Sequence, residues 1–120
     1  MSHSRILVVR LGAMGDVLHA LPAVASLKRS MPKARLSWVI DPKWAPLIES
    51  NPDVDETMRF DRRDWSSVRA LWSWLRREPF DVAVDFQGLI KSALIARASG
   101  ARVRVGRTKE QARESAAAWF

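Results

Sequence analysis

Residues 5–30 read RILVVRLGAMGDVLHALPAVASLKRS. The stretch opens on Arg5-Ile6-Leu7-Val8-Val9-Arg10, a short continuous apolar run rich in branched side chains. A run without polar alternation suits a strand buried on both faces, as inside a parallel sheet. Gly12 and Gly15 interrupt it; their missing side chains are expected to let the backbone turn sharply and a ligand approach closely. From Asp16 to Ser30 apolar residues return at helical spacing as Val17, Leu18, Leu21, Val24, Ala25 and Leu27. Asp16 has the chemistry of an N-cap for that helix, Pro22 predicts a kink or local break, and Met31-Pro32 ends it. Strand, glycine loop and helix together are the first half of a βαβ unit.

The same alternation continues. Leu36–Ile40 reads as a second strand, followed by a short helix around Lys43 to Glu49 that Asn51-Pro52 stops. Thr57–Phe60 reads as a short third strand. A stronger helix is predicted from about Ser66 to Arg77, with Val68, Leu71, Trp72 and Leu75 on one face and Pro79 after it. Asp81–Phe86 is a fourth strand, and Gly88 opens a helix through about Ala98 that Gly100 closes. Val103–Gly106 reads as a fifth strand and Glu110–Phe120 as a further helix. Strands alternating with helices imply right-handed βαβ units, hence an α/β fold with a Rossmann-like parallel sheet and helices on both faces.

Composition narrows the function classes. A length of 120 residues is one ordinary domain. There is no cysteine, which excludes disulfides and thiolate metal sites, and the two histidines, His3 and His19, are too far apart to form a histidine-rich metal site. No metal and no cofactor are expected. No apolar run reaches the roughly 18 residues of a spanning helix, and the N-terminus lacks a signal-peptide pattern, so a cytoplasmic protein is the expectation. Twenty basic against thirteen acidic residues leave a net charge of +7, which favours anionic partners: phosphates, an anionic membrane surface or nucleic acid. Interleaved aromatic and basic residues on strands and a recognition-helix motif are both missing, so nucleic acid is not the expected partner.

In open parallel sheets ligands bind at the carboxyl ends of the strands, and the loop from Leu11 to Asp16 lies there. An ionised aspartate at a helix N-terminus, open to a cleft, has the chemistry of a general base. A Gly-Asp pair before a helix is equally readable as a capped turn. Gly12-x-x-Gly15 is also part of a dinucleotide-binding fingerprint, with Asp41 as its ribose-binding acid, but Asp16 would then place a negative charge where a pyrophosphate should meet the helix.

The wider segment from Ile6 through Val24 resembles the opening of the lipopolysaccharide heptosyltransferases of glycosyltransferase family 9. The stretch Met14–His19 followed by Leu21-Pro22 is similar to the heptosyltransferase I branch. A second match is Asp81–Ala93, DVAVDFQGLIKSA, similar to the family's Asp-x-Gln-Gly-Leu-x-Lys-Ser segment, and a third and weaker one is Gly106–Glu114. The resemblance implies the N-terminal domain of a GT-B glycosyltransferase. This domain, residues 1–120, would bind the acceptor, in a chain expected to be truncated before its C-terminal donor-binding domain and to be inactive alone. The implied reaction is inverting transfer of heptose from ADP-heptose to the Kdo sugar of Kdo2-lipid A, in assembly of the lipopolysaccharide inner core. The family's catalytic aspartate falls on Asp16, with Gly15 beside it.

The acceptor carries phosphates and carboxylates, so a basic wall is expected. Arg59, Arg62 and Arg63 follow the third strand, interrupted by Asp61 and Asp64. Gln87 and Lys91 lie at or just past the fourth strand's carboxyl end, and Arg113 is a further candidate for an acceptor anion. His19 is one turn past Asp16. Trp65, Trp72 and Trp74 share one helix and cannot all face the sheet. An outward tryptophan beside arginines suits a membrane interface, as a peripheral enzyme of the inner membrane would need. Outside this reading stand a family member acting on another acceptor and a non-enzymatic nucleotide- or nucleic-acid-binding module.

Overall fold

The structure is a computed structural model and describes residues 4–77, 79–86, 95, 97–101 and 103–105. Five strands form one sheet: β1 (Arg5–Val9), β2 (Arg35–Ile40), β3 (Glu56–Arg59), β4 (Val82–Asp85) and β5 (Val103–Val105). All neighbours are parallel, in the order β3-β2-β1-β4-β5. The order reverses between β1 and β4, and this switch point is where the carboxyl ends of a doubly wound sheet open a crevice.

Among the described residues, two long helices pack against the sheet. Helix α1 (Met14–Ser30) packs on one face, where Val17, Ala20 and Val24 meet Ile6, Val8, Leu36, Trp38 and Ile40. Helix α2 (Trp65–Arg77) packs on the other, where Leu71, Trp74 and Leu75 meet Leu7, Val9, Val39, Phe80 and Ala83. Ile6 to Val9 are all fully buried. The continuous apolar run thus serves both cores, alternate residues to each face, as the pleat requires.

Several expectations are corrected. Helix α1 begins at Met14 with Ala13 as its N-cap and no side-chain cap, and Asp16 sits in the first turn. The Asp16 carboxylate is engaged by Arg10 instead of a backbone N–H, which leaves the cap to Ala13, whose carbonyl accepts from Val17 N at 2.9 Å. The helix also runs through Pro22 without a break. Pro22 and Leu18 are exposed, so the carbonyl that loses its donor can face water. Between β2 and β3 the expected helix is only a 3-10 turn, Ala45–Leu47. On α2 the buried aromatic is Trp74, not Trp72: its N–H donates to Glu56 at 3.2 Å and its ring meets Phe80 at 5.4 Å.

The later part of the chain follows its reading where it is described. Residues 95, 97 and 98 are helical, and Gly100 closes that turn at φ +73, a left-handed value that a side chain would strain. The predicted helix over 110–120 lies outside the described residues.

Candidate active site

The loop after β1 is tied into the sheet from both sides. Arg10 N donates to Val39 O at 3.3 Å, Asp41 N to Leu11 O at 3.0 Å, and the Trp38 indole N–H to Arg10 O at 2.9 Å. Asp41 caps its own turn through Lys43 N at 2.9 Å, and this places Trp44 beside the loop. A Cβ on Gly12 would lie 2.7 Å from two atoms of the Trp44 ring. Gly12 is therefore required by packing against the indole. Gly15 has the opposite surroundings: a Cβ there meets nothing within 4 Å, and its φ is not positive. The sharp turn expected of Gly15 is not observed, because the residue already belongs to α1.

The decisive contact is between Arg10 and Asp16. The Arg10 guanidinium is 2.5 Å from Asp16 Oδ2, with the arginine side chain 5% exposed and the aspartate 57%. Arg10 also donates through Nη1 to the carbonyl of Phe86, just after β4, at 2.5 Å. One buried cation thus joins the end of β1, the exit of β4 and the first turn of α1 across the switch point. It anchors a carboxylate whose Oδ1 has no protein partner among the described residues. The sequence reading did not single out Arg10. The signal was a lone charge ending an otherwise apolar strand.

Two hollows flank Asp16. A cleft of about 360 Å³ is lined by Leu11, Gly12, Ala13, Asp16, Asp41, Trp44, Phe60 and Arg62. A smaller one of about 190 Å³ is lined by Arg10, Asp16, His19, Ala20 and Phe86. Asp16 and Arg62, far apart in sequence, share the larger cleft; His19 faces the smaller. Arg63 is exposed and not on either lining, and Arg59 is bound to Glu49 by two hydrogen bonds, at 2.6 and 2.9 Å. That hydrogen bond raises the Arg59 pKa further and holds Glu49 below the usual carboxylate range. Asp61 and Asp64 accept from the backbone N–H groups of Arg63 and Ser66, so they serve the turn and the start of α2 and form no ion pair with the neighbouring arginines. The Ser66 hydroxyl adds to this and holds the Asp64 carboxyl below its ordinary range. Gln87, Lys91 and Arg113 lie outside the described residues. Among the described residues no group of three or more His, Cys, Asp or Glu is placed to hold a metal ion.

A carboxylate held at one oxygen and open at the other can take a proton from a hydroxyl, and a cation across the same cleft can hold an anionic group of the molecule that carries it. Comparison with known proteins shows what the chain is similar to. Residues 68–120 match the profile of glycosyltransferase family 9 (heptosyltransferase). The chain is 32% identical to lipopolysaccharide heptosyltransferase 1 of Escherichia coli strain K12, over 97% of this chain and 40% of that protein. It is 30% identical to the enzyme of the same name from Pseudomonas aeruginosa, over 97% of this chain and 36% of that protein. Its fold matches the E. coli heptosyltransferase WaaC with ADP at a TM-score of 0.79 and 31% identity, over 94% of this chain and 37% of that one. The fold of E. coli ADP-heptose LPS heptosyltransferase II also matches, at a TM-score of 0.70 and 22% identity, over 91% and 32%. The chain thus spans about a third to two fifths of the length of these relatives.

Proposed function

The chain is a relative of the family 9 glycosyltransferases in both sequence and fold, and on that premise we propose that the protein containing it transfers a heptose from ADP-heptose to the Kdo of Kdo2-lipid A. This stretch supplies the acceptor side, and the remainder of the protein supplies the donor site. The observation that carries the reading is Asp16: an exposed carboxylate at the carboxyl end of β1, anchored at Oδ2 by buried Arg10 and lining a cleft that also holds Arg62.

In the reaction the acceptor hydroxyl attacks the anomeric carbon of the heptose from the face opposite ADP. Its proton passes to Asp16 as the new carbon–oxygen bond forms. The bond to the β-phosphate breaks, and ADP leaves with the electron pair and the configuration inverts. A positioned general base contributes roughly 100- to 10,000-fold to such a step. Arg62 meets an acceptor anion across the cleft, and the open space over Gly15 leaves room for the sugar. Arg63, Gln87, Lys91 and Arg113 complete the proposed acceptor contacts. The enzyme works at the cytoplasmic face of the inner membrane, where its acceptor is anchored; no described helix is long and apolar enough to cross a membrane.

The test is the full-length protein carrying Asp16→Asn, assayed with ADP-heptose and Kdo2-lipid A. Transfer is expected to fall at least 100-fold while acceptor binding by calorimetry is kept. Near-normal turnover would remove Asp16 from the base role. Transfer by the wild type to a different acceptor sugar, with Kdo2-lipid A refused, would retain the chemistry and replace the acceptor.

A further inference from the structure

The outward face of α2 is unlike the rest of the surface. Its inward face is fixed by buried Leu71, Trp74 and Leu75. On the other side Trp65, Arg69, Trp72 and Arg76 recur at spacings of four, three and four residues, which places them in one stripe. All four are exposed, Trp65 at 79% and Trp72 at 38%. Helix α2 contains no acidic residue. Some basic residues elsewhere are paired, as in Arg59–Glu49, Arg35–Glu56 and Lys28–Asp55. Among the described residues Arg62, Arg63, Arg69, Arg76 and Arg77 form no salt bridge with a carboxylate, and α2 carries none of its own.

We infer that this stripe is a docking surface for an anionic phospholipid bilayer, and that it presents the active-site cleft to the membrane. An exposed indole has an apolar ring and one N–H donor, which suits the headgroup level of a bilayer. Unpaired guanidinium groups beside it match lipid phosphates in charge and in hydrogen-bonding geometry. The stripe spans about 16 Å from Trp65 to Arg76, and it lies on a helix that its buried face holds firmly against the sheet. The surface is a convex helix flank and not the groove with stacking platforms that single-stranded nucleic acid requires. Its N-terminal end is close to the cleft along the chain: Arg62 lines the cleft and stands three residues before Trp65. A lipid-borne acceptor would therefore enter from the docked side. The orientation toward an acceptor rests on the glycosyltransferase reading; the binding to lipid does not.

The experiment is co-sedimentation of the full-length protein with phosphatidylcholine vesicles, with and without phosphatidylglycerol. Wild type is expected to bind only the anionic vesicles, and less as salt is raised. Arg69→Gln with Arg76→Gln is expected to weaken binding roughly 30-fold and to flatten the salt dependence. Trp65→Ser with Trp72→Ser is expected to weaken it on the order of tenfold or more. Both pairs should still transfer sugar to a deacylated, water-soluble acceptor. Unchanged vesicle binding in either pair overturns the inference, as does protection of both tryptophans from an aqueous quencher in the full-length protein without vesicles, which would mean that the protein itself covers them. Preferential binding of single-stranded DNA through the same residues overturns it too. Vesicle binding through this face with no sugar transfer by wild type would leave the docking surface standing and refute the enzyme.

Discussion

Replacing Gly12 and Gly15 one at a time by alanine should change stability in opposite directions. The two substitutions are the same chemistry three residues apart. At Gly12 the added methyl would sit 2.7 Å from the Trp44 ring, against an ordinary contact of 3.4 Å or more, so the indole must retreat by about 0.7 Å. That ring is half-buried, seated by the Asp41 turn and covered by the Lys43 ammonium at 5.0 Å. Overpacking of this kind costs about 1–3 kcal/mol. At Gly15 the methyl meets nothing, the backbone is helical, and alanine recovers about 0.5–1 kcal/mol of helix propensity. The variants should thus be separated by about 1.5–4 kcal/mol. Urea unfolding, with a slope of about 1–3 kcal/mol/M, resolves this as opposite shifts of the midpoint. Because the space over Gly15 is assigned to the acceptor, Gly15→Ala should also raise the acceptor KM in the firmer protein. A midpoint for Gly12→Ala at or above wild type would refute the packing argument. A destabilised Gly15→Ala would refute the claim that nothing in the protein occupies its space.

Arg10→Met should lower kcat for transfer with little change in acceptor KM, and should cost about 1–3 kcal/mol, because the Phe86 carbonyl loses a buried donor; Arg10→Lys should recover part of the rate in steady-state kinetics. Asp55→Asn should destabilise the fold by about 1–2 kcal/mol at neutral pH. Partial burial works against the Asp55 charge, but the Leu36 N–H at 2.8 Å and the Lys28 ammonium outweigh it and hold the carboxyl below its ordinary 3.8. That contribution is complete above pH 3.8 and is lost as pH falls below it, so urea midpoints of variant and wild type should converge only in strong acid. Leu71→Ala, at a 1% exposed site, should cost about 2–5 kcal/mol, measured the same way.

What was legible in the sequence follows from which forces act locally. Ile6–Val9 announced a doubly buried strand because the branched apolar run is short and the Gly12–Gly15 loop bounds it, and a parallel sheet then followed from the βα alternation, though not its strand order. The start of α1 was misplaced because capping propensity is a local preference, and a buried guanidinium 2.5 Å away outweighs it. Trp72 and Trp74 are equally apolar; Trp74 is the one on the buried face with Leu71 and Leu75, where its ring meets Phe80 and its N–H reaches Glu56 on β3. In the site, Asp16 and Arg62 were named through the family resemblance together with loop position and charge, but their sharing of one cleft depends on β1 and β3 ending on the same edge. Trp44 escaped notice because its importance lies in what it forbids at Gly12.

Strand β1 has a further consequence for how this segment can change in length. Residues 6 and 8 face α1, and residues 7, 9 and 11 face α2. Arg10 shares the parity of the first set, and this sends its side chain toward Asp16 on α1. Inserting or deleting one residue here would exchange the two cores and aim the guanidinium at the wrong side of the sheet. Related sequences should therefore diverge between positions 6 and 16 by substitution alone, and keep their gaps for the turn near Ala45–Leu47.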